Sequence, residues 1–437
     1  MKYLIVLFLA ISVLQGFIAC TKHVNLFAET EQTGKSLYPI KKNDKWGYIN
    51  KDGNIIIKPK YCKVYESSEG MAIIRPDANN ETAFLIIDAT GKVVLEYKGL
   101  PEGMTKPQTT IDNSADTITV DRDEKILFSY NGVEVHRFCE GFALVLIENK
   151  YNFIDKKGKF ISDIGFEYAR DFSEGMACVG IDIDKTNDTT EDILYGYIDI
   201  NGKMAIKPKF SGRGDDFKEG LASVLSDDCK WGYIDKTGNV VIDFKFDFTD
   251  DFSDGFAQIG FFTDETDDET NKIYYGFIDK TGKIVISPQF ELISNFSSNV
   301  ASYHEKDGSI VYINREGEVI DSYKVGCDFS DGLASVATDI NEDSYPYRWG
   351  YIDNTGKLII DFKFPEAYDF HEGFAIVDLI DKLGYINKIG DLIFTHEKPV
   401  ELSDFLHGLA KVTIPSKAGS KMGYINATGK YVWEPTK

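Results

Sequence analysis

One short pattern, Trp231-Gly232-Tyr233-Ile234-Asp235, is rewritten along most of this chain. It returns as Trp46-Gly47-Tyr48-Ile49-Asn50, Tyr195-Gly196-Tyr197-Ile198-Asp199, Tyr275-Gly276-Phe277-Ile278-Asp279 and Trp349-Gly350-Tyr351-Ile352-Asp353. Leu383-Gly384-Tyr385-Ile386-Asn387 and Met422-Gly423-Tyr424-Ile425-Asn426 are further copies. Where units are consecutive, the spacing is 34 to 44 residues. Repetition at such a period decides architecture before any single residue does.

Each copy reads as a β-hairpin. Trp231 and Tyr233 share one face of a strand because side chains alternate. Asp235 opens a turn, Gly238 supplies its left-handed position, and Val240-Val241-Ile242 is a β-branched return strand. Asp or Asn recurs at the turn, as expected of side chains that bond their own turn backbone. A second motif precedes each hairpin: Phe172-Ser173-Glu174-Gly175, Phe217-Lys218-Glu219-Gly220, Phe252-Ser253-Asp254-Gly255, Phe329-Ser330-Asp331-Gly332 and Phe370-His371-Glu372-Gly373. It predicts a turn followed by a strand such as Leu221-Ala222-Ser223-Val224-Leu225. One unit is then a three-stranded antiparallel meander, and about ten units fill residues 37–437. The fold class is all-β.

The central strand is non-polar on both sides, so it belongs in a sheet covered on both sides. A lone meander cannot supply two covers, and its neighbours must. The recurring Gly is expected to let the next unit's rings approach closely.

With its two linked motifs in fixed order, the chain resembles the WG-repeat (KWG-type) family of bacterial proteins. The resemblance implies a β-rich repeat array, often exported, and carries no activity onto these positions. Trp46, Gly47, Tyr48, Trp231, Gly232, Tyr233, Trp349, Gly350 and Tyr351 are its structural signature residues. Leu85-Ile86-Ile87-Asp88, Tyr151-Asn152-Phe153-Ile154-Asp155 and Val311-Tyr312-Ile313-Asn314 have lost the Trp-Gly pair, and looser packing is expected there.

The N-terminus reads as a targeting segment. Residues 1–19 carry Lys2, an apolar run from Tyr3 to Ile11 and small residues before Cys20. Cys20 after Ala19 resembles a bacterial lipobox, which implies acylation of Cys20; Phe17 departs from the usual Leu. Residues 20–36 are expected to tether the array to a membrane. The apolar run is too short for the ~20 residues of a spanning helix. The other five cysteines, Cys62, Cys139, Cys178, Cys229 and Cys327, are scattered without a Cys-x-x-Cys pair, so no disulfide framework is expected. A formal charge of −22 repels phosphate backbones and anionic lipid, which argues against nucleic acid and leaves acyl chains as the membrane contact.

Two features break the rhythm. Between Tyr97 and Val135 the motifs fade, leaving a degenerate unit or an insertion in which only 126–135 resembles a hairpin. Acidic inserts at 182–192, 264–270 and 339–344 interrupt alternate units; alternate oxygen ligands such as Asp182, Asp184 and Asp188 raise calcium binding, though without the turn Gly and distal Glu of an EF-hand. Propellers usually hold 4–8 four-stranded blades. Ten three-stranded units with no offset strand to clasp the ends predict an open, curved or superhelical stack, with a closed propeller-like array as the alternative.

Chemistry is sparsely signalled. The chain has no Gly-x-Ser-x-Gly elbow, no phosphate-cradling loop and no His-Glu-x-x-His helix. His136, His304, His371, His396 and His407 fall in different units, and the recurring carboxylates occupy turns that every unit needs. No cofactor and no metal site is assigned. The sequence therefore predicts a non-enzymatic, membrane-anchored scaffold of the bacterial cell envelope, periplasmic or at the cell surface, for a protein or polysaccharide partner. A carbohydrate-active hydrolase, a carbohydrate-binding protein stacking sugars on its tryptophans and a calcium-stabilised adhesin are the alternatives.

Overall fold

The computed structural model describes residues 36–76, 83–97, 126–130, 133–147, 149–183, 193–262, 272–339, 347–417 and 419–436. The targeting segment, Cys20, nearly all of the tether, residues 98–125 and most of each acidic insert lie outside them. The described chain is all β, arranged as ten antiparallel sheets. In order, these blades occupy residues 38–61, 63–97, 126–155, 168–210, 221–246, 248–290, 301–323, 325–364, 367–397 and 401–436.

The hairpin reading holds. Trp231–Asp235 pairs with Val240–Phe246, and the Asp235 side chain accepts the amides of Thr237 (2.9 Å) and Asn239 (3.0 Å), closing the turn. Three blades have three strands, as expected. The other seven gain a fourth, which in four of them is the two-residue stretch just ahead of the Phe turn, such as Phe248–Thr249. The worn hairpin at 126–135 is real. Ile126–Tyr130 pairs with Val133–Cys139, which continues into the third blade.

The Trp-Gly glycine has a different task from the one expected. Between Trp231 and Tyr233 the register with the outer strand skips, and a Cβ on Gly232 would stand 2.6 Å from the Ile242 carbonyl and 3.0 Å from the Phe244 nitrogen. The crowding partner is thus the unit's own last strand, not the rings of the next unit. The same skip falls at Gly47, Gly196, Gly276, Gly350 and Gly423. Where Leu85 and Val311 replace the glycine, pairing runs straight through. Asn152 instead ties its outer segment by donating to the Ser162 and Ile164 carbonyls (3.1 and 3.2 Å). Those units keep their outer segments by other bonds.

Neighbours do cover one another. The ten apolar clusters of the described residues each draw on adjacent blades, one cluster per junction. Tyr233, Ile242 and Phe246 of the fifth blade, for example, pack with Phe252, Ala257 and Ile259 of the sixth. The last of these clusters decides the topology: Tyr38, Ile40 and Ile49 of the first blade pack with Leu409 and Tyr424 of the tenth.

The array is therefore a closed, propeller-like ring and not an open stack. Closure needs no offset strand, because blade ten packs on blade one through a shared apolar cluster, as every other neighbouring pair does. First strands lie innermost and touch their counterparts, as Ala367–His371 does with Glu401–Leu406. Outer strands such as Val240–Phe246 expose alternate residues. Pro59, Pro208, Pro288 and Pro435 stand in these outer strands, where a missing amide donor is tolerated and further strand pairing is discouraged.

Candidate functional site: the junctions and the inner acidic edge

The recurring residues converge on the junctions. The repeat tyrosine donates its hydroxyl to a backbone carbonyl on the next blade's inner segment: Tyr197 to Asp215 (2.8 Å), Tyr233 to Asp250 (2.7 Å), Tyr312 to Cys327 (2.7 Å), Tyr351 to Tyr368 (2.7 Å) and Tyr385 to Ser403 (2.5 Å). Its ring meets the next blade's turn Phe edge-on, as Tyr233 does Phe252 at 5.0 Å and 63°, a geometry worth about 0.5–1.5 kcal/mol beyond burial. Burial drives these phenols well above their ordinary pKa, so they remain donors.

The turn carboxylate forms a second link. Glu174 accepts the Gly220 amide (3.0 Å), Glu219 the Gly255 amide (3.1 Å), Asp331 the Gly373 amide (2.6 Å) and Glu372 the amides of His407 and Gly408 (2.6 and 2.7 Å). Lysines of the next hairpin grip the same carboxylates: Lys236 with Glu174 (3.1 Å), Lys280 with Glu219 (2.9 Å) and Lys388 with Asp331 (2.8 Å). A third link runs from the turn serine, with Ser173 donating to the Phe217 carbonyl (2.7 Å) and Ser253 to that of Phe296 (2.8 Å). Sequence reasoning placed these groups in turns but missed that each binds the following unit. The fixed pairing of Glu or Asp in one turn with Lys in the next hairpin was the available signal.

The signature aromatics belong to this framework. Tyr48, Tyr233 and Tyr351 are buried, as is Trp349 at 6 % exposure, while Trp46 and Trp231 are half-buried against the junction clusters. The histidines, read as isolated, are brought to carboxylates of the following blade in two cases. His136 Nδ1 lies 3.4 Å from Asp171 Oδ1, and His371 Nε2 lies 3.5 Å from Asp404 Oδ2.

Ahead of six of the turn Phe residues, an acidic side chain recurs: Asp171, Asp216, Asp251, Asp328, Asp369 and Asp404, whereas Phe138 follows Arg137 and Phe296 follows Asn295. Arg170 binds Asp216 through Nε (2.7 Å) and Asp215 through Nη1 (3.2 Å), and Ser223 donates to Asp215 (2.6 Å). Burial and the neighbouring Asp216, Asp215 and Asp250 push the Asp251 carboxyl up to about 7, against the opposing charge of Lys218. Among the described residues no group of three or more His, Cys, Asp or Glu is placed to hold a metal. A shallow cleft of about 360 Å³ between the second and third blades is lined by Glu69, Met71, Asp88, Thr90 and Lys156; its charged groups already serve the Glu69–Lys156 link and the Asp88 turn.

Fold and junctions define a class: a closed, propeller-like array of ten β-sheet repeats. Six segments match the family model of the WG containing repeat, at residues 46–77, 153–182, 195–228, 231–259, 275–303 and 349–381. The chain is a WG-repeat protein. No curated protein matches it. Among solved structures it is similar to BamB from Moraxella catarrhalis at 12% identity, covering 82% of this chain and 95% of that one, with a TM-score of 0.30. The tricorn protease matches at 11% identity over 90% of this chain and 43% of its own, TM-score 0.22. The extracellular domain of the hybrid two component system BT3049 from B. thetaiotaomicron matches at 12% identity over 91% and 58%, TM-score 0.25.

Proposed function

We propose that this WG-repeat ring is a non-enzymatic, exported scaffold of the bacterial cell envelope, held at a membrane by a lipid on Cys20, that binds a protein or polysaccharide partner. The observation carrying this reading is how the recurring carboxylates are used. Glu174, Glu219, Asp331 and Glu372 are each bonded to the backbone of the following blade, and Asp235 and its counterparts to their own turns. The recurring carboxylates are thereby used by the ring itself, which supports the scaffold reading. Long loops on such a rigid scaffold are where recognition residues tend to sit, and the acidic inserts of the fourth, sixth and eighth blades extend from the paired ends of strands such as Met176–Asp182 and Ile193–Asp199.

The test is pull-down with the purified ring on solubilised envelopes, alongside a screen on glycan substrates with and without residues 98–125. Retention of one defined partner and no glycan cleavage is the expected result. Cleavage that depends on 98–125 would overturn the scaffold reading in favour of a hydrolase.

A further inference from the structure

The hairpin turns lie together on one face of the ring. Within a blade, Phe256 pairs with Asp279, which sets the Phe turn and the hairpin turn at the same strand ends. Between blades, the ion pairs Lys156–Glu69, Lys236–Glu174, Lys280–Glu219 and Lys388–Asp331 join the hairpin of one blade to the turn of the blade before. In every blade a Cβ on the hairpin glycine would meet the outer strand of the preceding blade, as at Gly282 with Ile242 and, across the closure, at Gly53 with Val432. The acidic inserts leave from the opposite strand ends, where Asp182 pairs with Ile193 and Asp339 with Tyr347.

The turn face carries a repeated exposed pair. In six blades the residue leaving the hairpin is Lys, followed each time by an apolar or aromatic residue, as in Lys92-Val93, Lys159-Phe160 and Lys283-Ile284. Val93, Phe160 and Ile284 pair with the repeat's own Ile87, Ile154 and Ile278, yet remain 44%, 43% and 43% exposed. Exposed apolar side chains scattered singly are ordinary. Here most of the large ones among the described residues stand in a hairpin turn or in the two positions after it, and so edge one face. A lysine lays its stem along apolar surface and keeps its ammonium group in polar surroundings, which suits such an edge to the boundary between lipid tails and phosphates.

The chain also joins the ring on this face. Tyr38 pairs with Ile49, the residue just ahead of the first hairpin turn. Before it, Leu37 is buried, and Ser67 of the second blade's turn accepts its amide (2.9 Å) and donates to its carbonyl (2.6 Å). The sixteen residues 20–35 reach at most about 55 Å when fully extended, so a lipid on Cys20 holds this face within that distance of a bilayer. We propose that the hairpin-turn face is the surface of the ring that lies on a phospholipid bilayer, with the strand ends that bear the acidic inserts facing away. The proposal rests on the reading of Cys20 as the lipid-bearing residue. Lys92, Lys159 and Lys283 meet lipid phosphates and their apolar neighbours enter the tail boundary, while the acidic ends, which anionic headgroups repel, stand on the far side.

The experiment places the full mature chain on vesicles of phosphatidylethanolamine and phosphatidylglycerol and reads lysine acylation by a membrane-impermeant reagent, against the same protein released in detergent. The expected result is severalfold protection of Lys92, Lys283 and Lys430. Lys45 and Lys421, exposed at the opposite strand ends of the first and tenth blades, are labelled as freely as in detergent. Changing three exposed positions together, Lys92→Glu, Lys159→Glu and Lys283→Glu, is expected to remove the protection at Lys430 and leave the melting temperature unchanged. Equal labelling at the two ends, protection at Lys45 and Lys421 instead, or protection unchanged in the triple variant overturns the proposal. The mass of the N-terminal peptide reports separately whether Cys20 carries a lipid. If it does not, a Cys20→Ser chain with an N-terminal histidine tag, held by a nickel-chelating lipid, brings the same segment to the vesicle. Protection of the turn lysines there supports the face without the acyl group, and uniform labelling overturns it.

Discussion

The Tyr424 hydroxyl donates to the Pro39 carbonyl across 2.9 Å, joining residues 385 apart in sequence. This bond and its neighbour explain how the ring shuts. In the fourth blade the carbonyls of Cys178 and Gly180, opposite Tyr197 and Tyr195, accept amides of the inner segment. Their counterparts in the first blade are Pro39 and Lys41, opposite Tyr48 and Trp46. Those two carbonyls accept instead the hydroxyls of Tyr424 and Thr436 (2.9 and 2.8 Å) from the tenth blade. Proline at this edge also removes a donor that would otherwise need a partner. Tyr38 completes the seam, donating to the His407 carbonyl (2.7 Å) and meeting the Tyr424 ring at 5.6 Å.

If closure uses the same contacts as the internal junctions, Tyr424→Phe and Tyr233→Phe should cost alike. Each removes one hydroxyl bond and keeps the ring, for a loss of about 1 kcal/mol. Urea midpoints of the two variants test this. An unaffected Tyr424→Phe protein beside a destabilised Tyr233→Phe protein would mean that the seam contributes nothing.

Gly232→Leu should destabilise by roughly 1–3 kcal/mol or more through overpacking, because its side chain would enter its own outer strand at Ile242 and Phe244. The corresponding change at Leu85, Leu85→Gly, relieves no such contact and lacks the register skip. A thermal midpoint unchanged by Gly232→Leu would argue against the crowding.

Removing one turn carboxylate, Glu219→Ala, frees the Gly255 amide and Lys280 together. Lys280 is exposed and Gly255 half-buried, so the loss should be modest, about 1 kcal/mol. A double-mutant cycle with Lys280→Ala separates the ion pair from the amide bond, and the amide is expected to carry the larger share.

Acid should weaken the ring. Asp235, Asp279 and Asp353 are held below the ordinary carboxylate range by the hydroxyls of Thr237, Thr281 and Thr355 and by turn amides, which together outweigh a small burial effect. At Glu174 burial acts upward, and the Lys236 and Gly220 bonds overcome it. A carboxyl with a lowered folded pKa contributes stability that is present above its unfolded value, ~3.9 for Asp and ~4.3 for Glu, and is lost as pH falls through the folded value. Set against Asp251, whose carboxyl is pushed up to about 7 and so acts in the opposite sense, this predicts a melting temperature that peaks between about pH 4.5 and 7. Melting curves from acid to alkaline buffer check it, and a curve still rising beyond that window would contradict it.

A single excised blade, residues 211–246, should stay unfolded, since Tyr233, Ile242 and Phe246 complete their cluster only with Phe252, Ala257 and Ile259 of the next blade. Circular dichroism of the isolated peptide measures this. A folded monomer would refute the mutual cover.

Local order and repeat number were legible in the amino-acid sequence. The alternation of Trp231, Tyr233 and Ile234, the Asp235 turn and the Phe-Ser-Glu-Gly turns encode strands and hairpins over a few residues, and ten recurrences give ten sheets. Mutual cover was legible too, since a strand apolar on both faces must find it in its neighbours. What Gly232, Glu219 and Lys280 do was not legible, because their partners lie on another strand or another blade and local pattern does not report which. Closure escaped for the same reason. Whether Tyr424 finds the carbonyl of Pro39 depends on the small rotation between successive blades summed over the whole array, and only the tertiary structure fixes that sum.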